Sequence, residues 1–282
     1  MKFVVRGLQP VLLTILLALS APAQSSTGPV FPPFQQWKEA VLSGSGFLLK
    51  GLYSTNPPAE IKVGKTTGNA DTDIAFWTGL KAQRMKVDVV QTESPQPGVQ
   101  QVTFQAELRD SAGKTLYISA VQLWQKQSDQ WRLVAGKRTG PARLQQPSSV
   151  SKKIYDPGAN AHTEITEALA LASKQHKRVL VVFGANWCYD CHVLDLAFHR
   201  PDVASVLSKN YEVIHIDVGE GDKNQDLMQQ YDVPMKKGIP AIAVLDGKGT
   251  LLYSQKGGEF ENARALSPED VLAFLEKWKP AH

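Results

Sequence analysis

The sequence predicts two domains of different class: an α+β domain in the N-terminal half, with helices on an antiparallel sheet, and an α/β domain in the C-terminal half. In the first half, segments with helical periodicity precede four runs that alternate apolar and polar residues, which is the order of an α+β fold. In the second half, an apolar strand, helices and another strand follow one another, as in a βαβ unit. Charge supports the division, because residues 24–151 are net basic and residues 152–282 are net acidic.

The chain opens with the pattern of a secretory signal peptide. Lys2 and Arg6 precede an apolar stretch over 11–19, and the small residues Ala21 and Ala23 follow, as they do before a cleavage site. We therefore expect cleavage after Ala23 and export to the periplasm or the extracellular space. The stretch is shorter than the ~20 apolar residues of a membrane-spanning helix. The predicted boundaries are 1–23 for the signal peptide and 24–33 for a polar, proline-containing leader.

The first domain is predicted over 34–144. Apolar residues at helical spacing indicate two helices between 34 and 55, which Ser43-Gly44-Ser45-Gly46 separates and Asn56-Pro57-Pro58 stops. A third, short helix is expected over 71–80. Alternating runs with turn residues between them then predict four strands, over 85–90, 99–108, 115–124 and 131–137.

This order of elements, together with Trp124 and Trp131-Arg132-Leu133, resembles the nuclear-transport-factor-2-like superfamily and its SnoaL-like branch. The resemblance implies a cone, in which a helical layer packs on a curved sheet. Members of that superfamily include enzymes, ligand-binding pockets and dimerisation modules, so the fold alone assigns no activity. A homodimer through this domain is one expectation. Catalysis within the cone would require acids that point inward, and the candidates are Asp71, Asp73, Asp88 and Glu107.

A polar, proline-containing linker is predicted over 145–151, followed by the second domain over 152–282. An amphipathic helix is expected over 163–176, and an apolar strand rich in β-branched residues over 178–183. The remaining predicted elements are helices over 191–197, after Pro201, over 226–231 and over 268–278, and strands over 211–218, 242–245 and 251–254, the last two as a hairpin.

The two cysteines of the chain, Cys188 and Cys191, lie three residues apart at the start of a predicted helix. This spacing suits reversible thiol–disulfide exchange, and a helix N-terminus favours the reactive thiolate. Other interpretations remain open. Inert buried thiols and a structural zinc are two of them, although zinc would need two further ligands. The run Cys188-Tyr189-Asp190-Cys191-His192 also fits the pattern for covalent attachment of c-type haem.

The segment from Gly184 to Cys191, followed by Gly238-Ile239-Pro240-Ala241 before an apolar strand, resembles thioredoxin-fold proteins. The resemblance implies a cis bond at Pro240 that faces the cysteine pair and helps to bind an extended substrate chain. Cys188 is expected to be the attacking thiolate, more exposed than Cys191, which resolves the mixed disulfide. No metal or cofactor is implied. The expected substrate-binding residues are Trp187, Tyr189, Ile239 and Pro240.

Several positions depart from the thioredoxin pattern. Asp190 stands where thioredoxins have proline, and its carboxylate should oppose thiolate formation on Cys188 and favour a reducing couple, whereas a protonated His192 should act in the opposite direction. The buried aspartate and the nearby lysine of thioredoxins align with Val182 and Val213. Proton transfer to and from Cys191 would then need another group, and the candidates are His192, Asp195 and His215.

These observations predict an exported thiol–disulfide oxidoreductase that reduces or isomerises protein disulfides through Cys188 and Cys191. The resemblance implies a membrane-embedded thiol electron donor, and no nicotinamide or flavin motif is present. The net charge of +4 includes Lys2 and Arg6 of the signal peptide, and what remains is too small to favour nucleic acid as a partner. The alternative function is a redox-sensing or scaffold binding module with little turnover.

Overall fold

The computed structural model describes residues 31–281. The predicted signal peptide and most of the predicted leader lie outside the described residues. Among residues 31–281, no helix combines the length and the apolar character needed to cross a membrane.

The first domain has a helical layer on a six-stranded sheet, which confirms the predicted α+β class. The strand order is β2-β1-β6-β5-β4-β3, with β1 parallel to β6 and the other neighbours antiparallel. Register shifts interrupt β3 at three places, and such irregularities bend a strand. The elements are α1 (Pro32–Leu42), α2 (Gly46–Lys50), β1 (Glu60–Val63), β2 (Thr66–Asn69), α3 (Ala70–Gly79), β3 (Ala82–Gln96), β4 (Val99–Asp110), β5 (Thr115–Gln127) and β6 (Gln130–Arg138).

Two details of this domain differ from the sequence prediction. Helix α1 begins at Pro32 rather than at residue 34, because proline suits the first turn of a helix, where its missing N–H is not needed. The β1–β2 hairpin was not predicted. Its signal is short: Ile61 and Val63 alternate with polar residues before a two-residue turn in which Gly64 has a φ of 60°.

Large aromatic side chains fill the interior of the first domain. Trp37, Trp77 and Trp124 are fully buried and pack with Phe34 and Phe104. The cavity that remains beside Trp77 has a volume of about 10 Å³, at the lower limit for one water molecule. The interior of this domain is therefore filled by aromatic side chains around Trp37 and Trp77.

Of the four acids considered for catalysis in the cone, only Asp73 points inward, because Asp71, Asp88 and Glu107 are exposed. The Asp73 carboxylate accepts hydrogen bonds from the Tyr53 hydroxyl at 2.7 Å, Trp77 Nε1 at 3.2 Å and Arg138 Nε at 2.6 Å. Burial, followed by the Asp73 charge, raises the pKa of Tyr53 well above its usual value. Asp73 therefore holds α3 to the sheet, and this network argues against catalysis in the cone.

The second domain has a four-stranded mixed sheet in the order β10-β9-β7-β8, in which β7 and β8 are parallel and β9 is antiparallel to β7. Apolar clusters cover both faces. The predicted order of elements is confirmed. They are α4 (Ala161–Gln175), β7 (Arg178–Gly184), α5 (Tyr189–Phe198), α6 (Pro201–Asn210), β8 (Tyr211–Asp217), α7 (Gln225–Gln230), β9 (Ala241–Leu245), β10 (Leu251–Ser254) and α8 (Pro268–Trp278), with 3₁₀ turns at Met235–Lys237 and Ala263–Ala265.

The segment between the domains is attached to the second domain. Leu144 is fully buried and packs in the same apolar cluster as Leu180 and Val182 of β7. Gln146, within the predicted linker, is also buried, and Arg143 pairs with Glu269 of α8 at 3.0 Å. The residues that lead out of the first domain therefore contribute to the core of the second.

We predict that Asp73→Ala lowers the free energy of unfolding by about 3–5 kcal/mol, because it leaves the buried Arg138 guanidinium without its counter-charge. Asp71→Ala, on the exposed face of the same helix, should cost roughly 1 kcal/mol or less. Urea denaturation of both variants measures the difference. Equal stabilities would show that the buried ion pair does not hold α3 to the sheet.

Candidate active site

The cysteine pair lies at the junction between β7 and α5. Cys188 is the residue that caps α5, and the structure joins it to Cys191 by a disulfide with a Cα–Cα distance of 5.3 Å. The Cys188 sulfur accepts the backbone N–H of Cys191 at 3.1 Å. Free N–H groups and the dipole at a helix N-terminus stabilise a negative charge on this sulfur. In the reduced pair, the negative charge is therefore favoured on Cys188.

Both cysteines are buried. Cys188 is 4% exposed and Cys191 is 1% exposed, so Cys188 is the less buried of the two. The reason is a cover of apolar groups: Ile154, Tyr155 and Ile239 pack on the two cysteines. A substrate disulfide must therefore approach Cys188 through a small opening.

The Ile239–Pro240 peptide bond is cis, as the thioredoxin resemblance implies, and it lies beside the pair. The Ile239 carbonyl oxygen is 3.5 Å from the Cys188 sulfur. The Pro240 carbonyl already accepts Gln255 Nε2 at 3.1 Å, and Gln255 Oε1 accepts the N–H of Ile242. The buried Gln255, which the sequence analysis did not identify, thus fixes this strand and leaves the Ile239 carbonyl as the one that faces the sulfur.

Trp187 and Tyr189, on either side of Cys188, have different surroundings. The Trp187 ring is 54% exposed, and its Nε1 donates to the carbonyl of Gly219 at 3.0 Å. It is therefore held as an apolar surface next to the pair. Tyr189 is half-buried, and its hydroxyl donates to Gln146 Oε1 at 3.2 Å. Burial raises the pKa of Tyr189, so its hydroxyl stays protonated and serves the contact with the interdomain segment.

Asp190, between the cysteines, is buried and paired with Arg264. Its carboxylate accepts the backbone N–H of Arg264 at 2.9 Å and Nε at 3.1 Å, and the guanidinium also lies over the Tyr189 ring. The hydrogen bond that Arg264 donates to Asp190 raises the pKa of the arginine. The expectation that Asp190 opposes thiolate formation stays a prediction, and the positive charge of Arg264 acts against that effect.

Two of the three candidates for proton transfer, His192 and Asp195, are bound to other groups, and the third is His215. His192 is buried, and its Nε2 donates to the carbonyl of Asn186 at 2.8 Å. Asp195, one turn later on α5, is buried and binds Lys152 at 2.6 Å. His215 pairs with Val182 across the β7–β8 ladder, and burial lowers its pKa. His215 is therefore neutral at ordinary pH.

Tyr155 is a site residue that the sequence analysis missed. It comes from the segment before α4, is 1% exposed and packs on both cysteines. Asn186 holds it in place: the Asn186 side chain accepts the N–H groups of Ile154 and Tyr155 and donates to the Tyr155 carbonyl at 2.7 Å. No periodic pattern marks this tyrosine, since it lies in irregular chain.

Residues 160–247 match the family model described as thioredoxin-like. The C-terminal half of this chain is a thioredoxin-like domain. Its disulfide at a helix start and its cis proline beside the sulfur agree with that family, and together they give the domain the features of a thiol–disulfide oxidoreductase.

The chain is also similar to individual proteins. It is 26% identical to the thiol:disulfide interchange protein DsbD 2 of Pseudomonas aeruginosa over 151 residues, which are 49% of this chain and 24% of that protein. It is similar to the crystal structure of a disulphide isomerase from Xylella fastidiosa Temecula1, with 41% identity and a TM-score of 0.43, over 45% of this chain and 97% of that one. An NTF2-like protein of unknown function from Rhodospirillum rubrum has 17% identity and a TM-score of 0.35, over 40% and 98%.

The chain spans about a quarter of the length of the curated relatives that it matches.

We predict that Arg264→Ala slows alkylation of reduced Cys188 severalfold at pH 7, because the Asp190 carboxylate then acts unopposed on the thiolate. Arg200→Ala, which removes a surface pair with Asp202, should leave the rate unchanged. The rate of reaction with iodoacetamide in a Cys191→Ser background measures both effects. A faster reaction in Arg264→Ala would show that the arginine does not support the thiolate.

Proposed function

We propose that this chain is an exported thiol–disulfide oxidoreductase that reduces or isomerises disulfides in protein substrates. One observation carries the proposal: the Cys188–Cys191 disulfide caps α5 and faces the carbonyl of the cis Ile239–Pro240 bond. A backbone carbonyl beside a reactive sulfur can guide an extended chain toward it, and Trp187 adds an exposed apolar surface.

The proposed reaction needs the two sulfurs in sequence. The Cys188 thiolate attacks one sulfur of a substrate disulfide, a mixed disulfide forms, and the other substrate sulfur leaves as a thiolate. Cys191, deprotonated, then attacks the Cys188 sulfur, which restores the internal disulfide and releases the second substrate thiolate. Two electrons pass from the pair to the substrate. In isomerisation, a second substrate thiol resolves the mixed disulfide instead.

A reductase must regain two electrons after each turnover. We propose a membrane-embedded thiol protein as the donor, in keeping with the similarity to proteins named for thiol:disulfide interchange. Export is proposed from the signal pattern around Lys2, Arg6 and Ala23. After expression of the full-length chain, mass spectrometry of the purified protein should find Gln24 at the N-terminus. A protein that still begins at Met1 would contradict export by this route.

The first domain is proposed to bind a partner or a second copy of the chain rather than to catalyse a reaction. Its interior is filled by tryptophan and phenylalanine side chains. Asp73, the acid among the four candidates that points inward, is paired with Arg138. Light scattering of the full chain distinguishes a monomer from the proposed homodimer.

The rival function, a redox-sensing or scaffold module, has two observations in its favour. Both cysteines are buried and Val182 replaces the buried acid that promotes turnover in thioredoxins. Attachment of c-type haem is not favoured. The His192 ring, which would have to bind the haem iron, is buried, and its Nε2 is bound to the Asn186 carbonyl.

We predict that the reduced protein cleaves the interchain disulfides of insulin and that Cys188→Ser abolishes this activity, because the attacking sulfur is lost. Cys191→Ser should instead retain the first step and accumulate a mixed disulfide with a substrate protein. Insulin turbidity measures the activity, and mass spectrometry identifies the trapped adduct.

Wild-type protein without insulin reduction above the rate with dithiothreitol alone would favour the redox-sensing module. A Cys191→Ser protein that traps no substrate would exclude Cys188 as the attacking group.

A further inference from the structure

The buried acid that aligns with Val182 in thioredoxins has no direct replacement among the groups expected from the sequence. Val182 is buried. His192 is tied to a backbone carbonyl and Asp195 to Lys152. The third candidate, His215, packs edge-on against the ring of Tyr155. The charge that develops on Cys191 when the disulfide opens needs a polar partner, since a buried thiolate without one is costly.

The Tyr155 hydroxyl is in position to meet that charge. A side chain at residue 184 would begin 2.2 Å from the Tyr155 oxygen and 2.9 Å from the Cys191 sulfur, so the phenol and the sulfur occupy the same small space. Gly184, the last residue of β7, leaves that space free. The Tyr155 hydroxyl and the Cys191 sulfur thus lie on the same side of Gly184, within the cluster that Tyr155 forms with the two cysteines.

Contacts at its backbone and at its ring hold Tyr155 in position. Asn186, two residues before Cys188, binds the Tyr155 backbone through both its amide oxygen and its amide nitrogen. The ring packs edge-on against His215 with a centroid distance of 5.5 Å. Because the backbone clamp and the cysteine pair belong to the same turn, the phenol keeps its place relative to Cys191.

We propose that the Tyr155 hydroxyl donates a hydrogen bond to the Cys191 thiolate and thereby takes over part of the role of the missing buried acid. When an incoming thiolate attacks the Cys188 sulfur, the S–S bond breaks and its electron pair goes to Cys191. Tyr155 stabilises this leaving thiolate without giving up its proton. In the opposite direction, the same hydrogen bond favours the deprotonated Cys191 that attacks the mixed disulfide.

The surroundings of the Tyr155 hydroxyl favour a group that donates a hydrogen bond over one that accepts a proton. Burial, followed by the charges of Asp195 and Asp217, raises the pKa of Tyr155 far above its usual value, so the hydroxyl keeps its proton. Lys152 offsets Asp195, and Lys223 offsets Asp217 at 3.1 Å. The facing His215 is neutral because burial lowers its pKa.

The inference rests on thiol–disulfide exchange at this pair, and its test needs no protein substrate. The pKa of the Cys191 thiol is measured in Cys188→Ser, where it is the one thiol left, by NMR titration of protein labelled with ¹³Cβ-cysteine. Adding Tyr155→Phe should raise this pKa by about one unit or more, because a hydrogen bond to a charged group is lost. Tyr211→Phe removes another tyrosine hydroxyl bond in the same domain, to the Leu275 carbonyl, and should leave the pKa unchanged.

A second measurement uses the intact pair. The rate at which dithiothreitol reduces the Cys188–Cys191 disulfide should fall roughly tenfold in Tyr155→Phe and stay constant in Tyr211→Phe. An unchanged Cys191 pKa together with an unchanged rate would overturn the inference. Absence of insulin reduction with a shifted Cys191 pKa would refute the proposed reductase function and leave the role of Tyr155 standing.

Discussion

The sulfur of Cys188 accepts the N–H of Cys191 at the first turn of α5, and the chemistry of the site depends on this contact. A helix begins with N–H groups that have no partner within the helix. These groups and the helix dipole stabilise a negative charge on the atom that caps the N-terminus. Here the cap is the sulfur itself, and the second cysteine is the residue that donates to it. The same contact therefore orients the pair, assigns the negative charge to Cys188 and places Cys191 beneath it.

The segment that joins the two domains is also part of the site. Leu144 anchors it in the second core, Gln146 binds the Tyr189 hydroxyl, and Lys152 binds Asp195 of α5. It ends at Tyr155, under the disulfide. Beside it, a polar cleft of about 230 Å³ brings Asp88 of β3 near His192. The first domain is therefore connected to the cysteine pair by a continuous series of contacts.

Local patterns predicted the parts of the structure that depend on nearby residues. The helix start at Cys188, the buried strand before it and the proline strand after it follow from short-range periodicity and a motif. The partners of the site were not predictable in this way. Arg264 is 74 positions from Asp190, and Tyr155 lies in irregular chain, so their contacts arise from tertiary packing. The cover over the cysteine pair was not predicted for the same reason, because Ile154 and Tyr155 come from a segment without a pattern.

The asymmetry between the two sulfurs is tested most directly by comparing single-cysteine variants. Cys191→Ser leaves Cys188 as the thiol, and Cys188→Ser leaves Cys191. We predict that Cys188 reacts with oxidised glutathione at least about tenfold faster at pH 7, because it alone receives the field of the helix N-terminus. Equal rates, or a faster reaction at Cys191, would contradict the assignment of Cys188 as the attacking sulfur.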